Sequence, residues 1–440
     1  MSYLLLVSPW IYDFSAYDFW LKPIGLLALA SALRQQGLKI KLVDFTDPFL
    51  VSDPNELARL KRRADGRGKF FAQELEKPEP LQTIPRRYKR YGLEPDFLKN
   101  LLGELPPPKA ILIATTMTYW YQGYQETIKF LREIFKNSPV IVGGLYTTIL
   151  PEHSQKNLQA DYYCLGDYEQ HLPALLKEIL GEEINLNPPE KTGLALDLYP
   201  HLEYGVILTG RGCPFRCKYC LSWKLHPQLK RKPPEQVVEE IIWQAKNLEV
   251  KNIAFYDDAL FLEPEKHIIP ILEGIVRKEL SLKIHTPNGL HLKPISQELA
   301  KLMKKAGFAT IRFGLETTNP ERQKQLGAKA SLNDLARALE YLEKAGYERK
   351  EIGVYLLAGL PGQSPEEIEQ DIKAVKRLGA RPYLSEYSPI PQTELWEKAV
   401  EYARFPIEKE PLFHNCSLLP CAHPELTPRK LTELKNLARD

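Results

Sequence analysis

Twice along the chain, short apolar runs alternate with amphipathic helical stretches, and a polar segment at residues 181–203 separates the two series. Two strands joined through a helix lie in one sheet as a parallel pair with the helix crossing over it. The alternation therefore restricts the chain to α/β architecture in two blocks. In the first block, residues 1–180, Tyr3-Leu-Leu-Leu-Val-Ser reads as a buried strand, and Pro23 to Gly37 as a helix with proline near its start and glycine just past its end. Residues 38–44 alternate as a strand does, residues 110–116, 140–144 and 162–166 add three more, and helices are predicted at about 122–136, 146–157 and 168–180. This is the pattern of a Rossmann-like, doubly wound parallel sheet, which takes its ligand beyond the carboxyl ends of the strands. In the second block, residues 204–395, strands predicted at 205–210, 252–257, 282–287, 309–315, 351–358 and 383–387 each lead into a helix. Six such units predict a partial (β/α)6 barrel of the TIM type, with its active site at the carboxyl ends of the strands. An insertion at 47–108 interrupts the first block, and residues 396–440 follow the second as a short C-terminal extension.

The loop after the first strand of the second block is Arg211-Gly-Cys-Pro-Phe-Arg-Cys-Lys-Tyr-Cys220, entered from the apolar run Val206-Ile-Leu-Thr-Gly. Cys213, Cys217 and Cys220 follow the spacing C-x3-C-x2-C, and three thiolates in so short a loop can hold three irons of a four-iron four-sulfur cubane. Clusters that only carry electrons have all their iron sites ligated by the protein. A missing fourth cysteine thus points to one iron left open for a substrate. A structural zinc site and inert, buried thiols are the alternatives. Zinc sites, however, pair two C-x2-C arms or add histidines at set spacing, and the nearest histidine, His226, stands beyond Trp223.

With Tyr219 as the aromatic just before the third cysteine, the sequence resembles the radical S-adenosylmethionine enzymes. The resemblance implies that the open iron binds the amino and carboxylate groups of S-adenosylmethionine, and that one electron from the cluster cleaves the sulfonium to a 5'-deoxyadenosyl radical. It also gives the later strand ends a meaning. Asp257 and Asp258 close the second strand with two carboxylates facing the methionine end of the cosubstrate, either able to accept from its ammonium, and Tyr256 beside them is a candidate catalytic side chain. Asn288 closes the third strand. Glu316 closes the fourth, as a contact to ribose or methionine. Gly359 and Pro361 lie in the glycine-rich turn expected on the adenine side after the fifth, and Pro389 in the turn after the sixth. Singly, each is an ordinary turn or helix cap; in order at successive strand ends they form one pattern.

The first block is similar to the cobalamin-binding domain that precedes the barrel in one large class of these enzymes. The matching loops hold Ser8, then Thr116, Met117 and Thr118, then Gly143 and Gly144, then Gly166. Glycine there lets the backbone approach the corrin's nucleotide tail. The other cobalamin pattern, Asp-x-His-x-x-Gly, is missing, and no histidine stands between Met1 and Ala110 to serve as an axial ligand from the first loops. A Rossmann-like domain that binds no corrin stays open. Tyr119-Trp-Tyr121 either covers a flat macrocycle or packs internally.

A net charge of +3 is too small to argue for nucleic acid or a membrane surface. Basic residues cluster at 60–69 and, interleaved with tyrosines, at 86–91, but Glu74, Glu76 and Glu79 dilute the field, so a solvated face or a lid is the expectation there. No charged-then-apolar leader and no run of about 18 apolar residues occurs, which reads as a soluble, cytoplasmic protein. Six cysteines, three of them clustered, make no disulfide framework and fit a reducing compartment. Cys164 reads as buried filler. Cys416 and Cys421, flanked by His414 and His423, are candidates for a metal site, a thiol hydrogen donor or part of a second cluster, although their spacing fits no standard zinc pattern. The expected activity is cobalamin-dependent radical methylation of an unactivated carbon, or occasionally phosphorus, of a small-molecule or peptide substrate. Electrons would come from a partner such as flavodoxin or ferredoxin. A radical rearrangement, ring closure or sulfur insertion without methylcobalamin is the second reading, and a non-enzymatic iron-sulfur redox protein the third.

Overall fold

The computed structural model describes residues 3–186 and 193–440. It falls into two compact units that divide between Leu202 and Glu203. In the first, strands β1 (Leu4–Ser8), β2 (Ile40–Asp44), β3 (Ala110–Thr115), β4 (Val140–Gly144) and β5 (Tyr162–Cys164) form one parallel sheet in the order β2-β1-β3-β4-β5. Leu4, Leu5, Leu6 and Val7 are all buried, as expected of a strand covered on both faces. The helix Ile24–Gln35 starts after Pro23, lays Leu26, Leu29 and Leu33 on the sheet, and is followed by Gly37 in the left-handed region. The doubly wound sheet inferred from the strand–helix alternation is thus the one observed.

The insertion adds a small antiparallel sheet of Ile11–Asp13, Tyr88–Tyr91 and Ala72–Leu75. Several of its arginines turn inward. Arg62 pairs with Asp18 at 2.8 Å, Arg67 with Asp65 at 2.6 Å, and the buried Arg90 sits over the Trp10 ring. These side chains staple the insertion together.

The stretch expected to be a polar linker, residues 181–203, is docked over its later part. Ser31 Oγ donates to the Gly193 carbonyl at 2.6 Å, Arg34 grips Asp197, and the Tyr199 hydroxyl donates to Asp44 at 2.7 Å. Its Asn187-Pro-Pro lies outside the described residues.

In the second unit β6 (Gly205–Ile207), β7 (Asn252–Phe255), β8 (Lys283–His285) and β9 (Phe308–Thr310) pair in parallel, as do β10 (Arg312–Glu316), β11 (Gly353–Ala358) and β12 (Arg381–Glu386). The fourth barrel strand, anticipated as one run at 309–315, is broken at Ile311. The chain leaves one sheet there and enters the other, and a bridge between Leu290 and Phe313 spans the gap. Ser296, Ser331 and Ser364 cap the helices that follow the third, fourth and fifth strands. The C-terminal extension belongs to this unit. Its helix Pro428–Arg439 packs on β12 and on the helix Pro365–Arg377, supplying the layer that the sixth strand otherwise lacks.

Candidate functional site

In the second unit the cysteine loop springs from the carboxyl end of β6. Gly212 takes φ +94°, and a side chain there would lie 2.5 Å from the Gln228 carbonyl oxygen, so only glycine lets the loop fold back. Cys213 and Cys217 are buried and Cys220 half-buried. Burial pushes the Cys213 thiol up to about 11 and raises Cys217 too, against the pull of Lys329. Burial thus favours the neutral thiol at Cys213 and Cys217, and a bound metal's charge would supply what stabilises thiolate there. The Ser222 N–H points at Cys220 Sγ from 3.5 Å, and Tyr219 hydrogen-bonds Cys217. Among the described residues no group of three or more His, Cys, Asp or Glu side chains is gathered to hold one metal ion. A zinc site needs such convergence; a cubane puts each thiolate on a different iron. Three thiols spread along one loop, with N–H and O–H donors beside them, fit the cubane.

The strand-end residues divide into those that face this loop and those used internally. Asp257 is internal: it accepts from Thr209 N at 3.1 Å and Thr209 Oγ1 at 2.6 Å, and that hydroxyl meets His267 Nε2 at 2.7 Å. Burial still lifts its pKa to about 6. The expectation that either carboxylate could meet an ammonium group narrows to Asp258, which accepts from the Ser222 side chain and lies within electrostatic reach of Cys213. Asn288 Nδ2 donates to the Tyr256 carbonyl at 2.8 Å, which locks the second strand end to the third. Glu316 stands at φ +72°, a strained backbone for a residue with a side chain, and meets Lys329 Nζ at 3.4 Å. The Tyr219 hydroxyl bridges Glu316 and Cys217.

Gly359, at φ +86°, opens the turn that carries Pro361. Gln363 Oε1 accepts from the N–H groups of Gly359 and Leu360 at 3.0 and 3.2 Å, while its amide donates to the Leu357 carbonyl. The C-terminal extension covers this turn: a side chain at Gly359 would lie 3.3–3.9 Å from Leu419, Ala422 and Leu426. Ser388 Oγ, next to the buried Pro389, donates to the His414 carbonyl at 2.6 Å. Cys421 is fully buried with its thiol on the Ala399 carbonyl at 3.3 Å, its pKa raised to about 12 by burial. His414 Nε2 meets the Ile407 carbonyl and His423 Nδ1 accepts from Glu425 N. Cys416 opens a short turn, Cys416–Leu418. Cys421, His414 and His423 are thus each hydrogen-bonded within the tail.

Sequence reasoning overlooked Lys329, Gln363, and the Thr209–His267 pair. None belongs to a motif; a lysine after a glycine, Gly327-Ala-Lys329, is too common to flag.

In the first unit the expected loops all lie at carboxyl ends of adjacent strands. Ser8 ends β1, Thr116–Thr118 follow β3, Gly143 and Gly144 end β4, and Gly166 follows β5. The order β2-β1-β3 reverses the direction of winding between β1 and β3, the switch point where such sheets bind ligands. Gly144 takes φ +110°, and a side chain there would strike the Thr115 carbonyl oxygen at 2.2 Å. The buried Tyr124 hydroxyl accepts from Thr116 N at 2.9 Å and donates to the Met117 carbonyl at 3.0 Å, fixing that loop. Met117 and Leu145 nevertheless present apolar side chains to solvent, 45% and 44% exposed. Tyr119 and Tyr121 are buried and Trp120 donates to Asp13 at 2.7 Å, so the aromatic knot is packing. The site offers close backbone approach and exposed apolar surface, which suits a large flat ligand with a polar tail.

Comparisons with known proteins bear on both units. The Radical SAM superfamily matches residues 207–375. An uncharacterised methyltransferase of Pyrococcus horikoshii is 28% identical over 67% of this chain and 70% of its own length. The anaerobic magnesium-protoporphyrin IX monomethyl ester cyclase of Rubrivivax gelatinosus is 23% identical over 43% of this chain, which spans 33% of that protein. Among solved structures, the radical S-adenosylmethionine methyltransferase TsrM from Kitasatospora setae, with tryptophan substrate and a cosubstrate analogue bound, matches 99% of this chain and 89% of its own with a TM-score of 0.70 at 17% identity. That last likeness is one of fold. No helix among the described residues is long and apolar enough to cross a membrane.

Proposed function

We propose, from the premise that residues 207–375 are a radical S-adenosylmethionine domain, that the chain is a cobalamin-dependent radical methylase acting on an unactivated carbon. When bound, the cluster with S-adenosylmethionine supplies a 5'-deoxyadenosyl radical and cobalamin a transferable methyl group. The chain's own part is to hold and orient. Cys213, Cys217 and Cys220 ligate three irons. Asp258 and Glu316 accept hydrogen bonds from the polar groups of the cosubstrate, Tyr256 and Asn288 line the ends of the second and third strands, and the Gly359–Pro361 turn and Pro389 border the adenine side. The covered turn keeps water from the reacting centre. In the first unit, Ser8, Thr116, Thr118, Gly143, Gly144 and Gly166 would admit the corrin's tail, with Met117 and Leu145 against the macrocycle.

The observation that carries this reading is the pairing, in one chain, of a cysteine loop at a barrel strand end with a switch-point site that offers glycine backbone and exposed Met117 and Leu145. The relative called a methyltransferase lends support. Radical S-adenosylmethionine enzymes need a reductant; a flavodoxin or ferredoxin in the cytoplasm would serve. The substrate is a small molecule or a peptide.

The test is anaerobic purification after expression with added cobalamin. One corrin per chain in the visible spectrum supports the methylase. A fully loaded cluster with no corrin after reconstitution rejects it in favour of the second reading, radical ring closure, to which the likeness to the cyclase points.

A further inference from the structure

A segment far from the cysteines in sequence is clamped onto their loop. Gly327 takes φ +115°, and a side chain there would lie 3.1 Å from the Arg216 carbonyl oxygen and 3.4 Å from Cys217 Cα. The Lys218 N–H donates to the Leu326 carbonyl at 3.2 Å. Two residues further on, Lys329 brings its ammonium 3.4 Å from Glu316 Oε1, with both side chains 15% exposed. Gly314 leaves the pair its room, since a side chain there would meet Glu316 Oε1 at 2.7 Å and Lys329 Nζ at 2.8 Å. Paired in this way with the Glu316 carboxylate, the Lys329 side chain is a cation. Asp258 and Glu316 are the acids set against the thiols. His291, stacked on Phe215 of the loop at 4.5 Å, is held neutral by burial and by Lys329.

We infer that Lys329 is the charge partner of the iron-sulfur cluster, clamped beside the Cys217 edge by the Gly327 turn and by Glu316 so that its cation eases reduction of the cluster. Each electron added to a thiolate-ligated cubane increases negative charge in a poorly solvated place, and net charge is among the factors that set the potential of such clusters. A fixed cation beside the cluster stabilises the reduced form more than the oxidised one. Lys329 acts through the cluster and through Glu316, and is a positioning residue. The inference rests on the cluster reading and is independent of cobalamin.

The test compares the reconstituted full-length protein with Lys329→Met and Lys329→Arg, without cosubstrate, by iron content, thermal melting and redox titration of the cluster absorption. With iron content equal, Lys329→Met should show at least a tenfold smaller reduced-to-oxidised ratio at a fixed potential, about 59 mV for one electron, and Lys329→Arg should stay near the wild type. A Lys329→Met protein that melts normally but takes up no iron, while Lys329→Arg loads fully, also supports a need for the charge. An unchanged midpoint in fully loaded Lys329→Met overturns the inference, and so does equal failure of both variants to load. A wild-type protein that forms no four-iron cluster sinks the cluster premise instead, and iron analysis of the wild type alone reveals it.

Discussion

The two units present the carboxyl ends of their parallel strands by opposite means. The first unit does it with backbone: Gly144 and Gly166 stand in the left-handed half of conformational space, and what reaches solvent beside Gly144 is the apolar Met117 and Leu145. The second does it with ionisable side chains, three thiols, Asp258, Glu316 and Lys329, brought close in a largely buried loop region. A common sheet rule thus yields a surface for a large neutral face in one case and a socket for charge in the other.

The largest effect should come from the cysteines. Cys213→Ala, Cys217→Ala or Cys220→Ala should abolish the broad iron-sulfur absorption and the formation of 5'-deoxyadenosine, measured by chromatography of the reaction, while leaving corrin uptake intact. Loss of corrin from all three would break the division between the units. Next, Gly144→Val adds a side chain where the Thr115 carbonyl stands at 2.2 Å and φ is +110°. It should cost about 3 kcal/mol in unfolding experiments and empty the corrin site, with iron content retained. Met117→Asp with Leu145→Asp, both exposed, should leave stability within about 0.5 kcal/mol yet weaken corrin binding about tenfold, from ~1.5 kcal/mol of lost apolar burial. Equal binding by equilibrium dialysis would remove these side chains from the site.

The effects of pH on the second unit are spread over several pH units, and two groups act with opposite sign. His291 is lowered from its ordinary 6.5 to about 3 by burial and by Lys329. Its contribution to stability is fully present above pH 6.5 and is lost as pH falls toward 3, by up to ~1.4 kcal/mol per unit. Asp257 is raised from 3.8 to about 6, chiefly by burial. Its contribution is present below pH 3.8 and is lost as pH rises through 6. Denaturant midpoints followed against pH should flatten on the acid side in His291→Gln, and between about pH 4 and 6 in Asp257→Asn. A slope unchanged in either variant would mean that the group titrates normally.

Much of this was legible in the chain because the deciding features are local. A strand, a glycine and three spaced cysteines are consecutive, and so are the doublet at Gly143 and the turn at Gly359. What escaped depends on distant pairing. Asp257 and Asp258 look alike in sequence, and only the Thr209 hydroxyl, contributed from just past the end of β6, turns the first inward. Lys329 comes to the cysteine loop through a backbone contact at Gly327 that no spacing rule announces. The break at Ile311 is set by which neighbour each half-strand pairs with, since its residues read as one apolar run. The stretch before Leu202 looks like a tether because acidic residues, asparagines and a proline pair crowd its first half, yet Asp197 and Tyr199 each find a partner more than 150 positions upstream.

The cover on the Gly359 turn comes from Leu419, Ala422 and Leu426, which follow the sixth strand in the chain. Until translation has passed them, the fifth and sixth strands are present but that wall is missing. Insertion of iron and sulfide is therefore best timed to follow synthesis of residues 419–426, and a message broken shortly after the sixth strand would encode a product able to form its thiol loop but not to shelter what the loop holds.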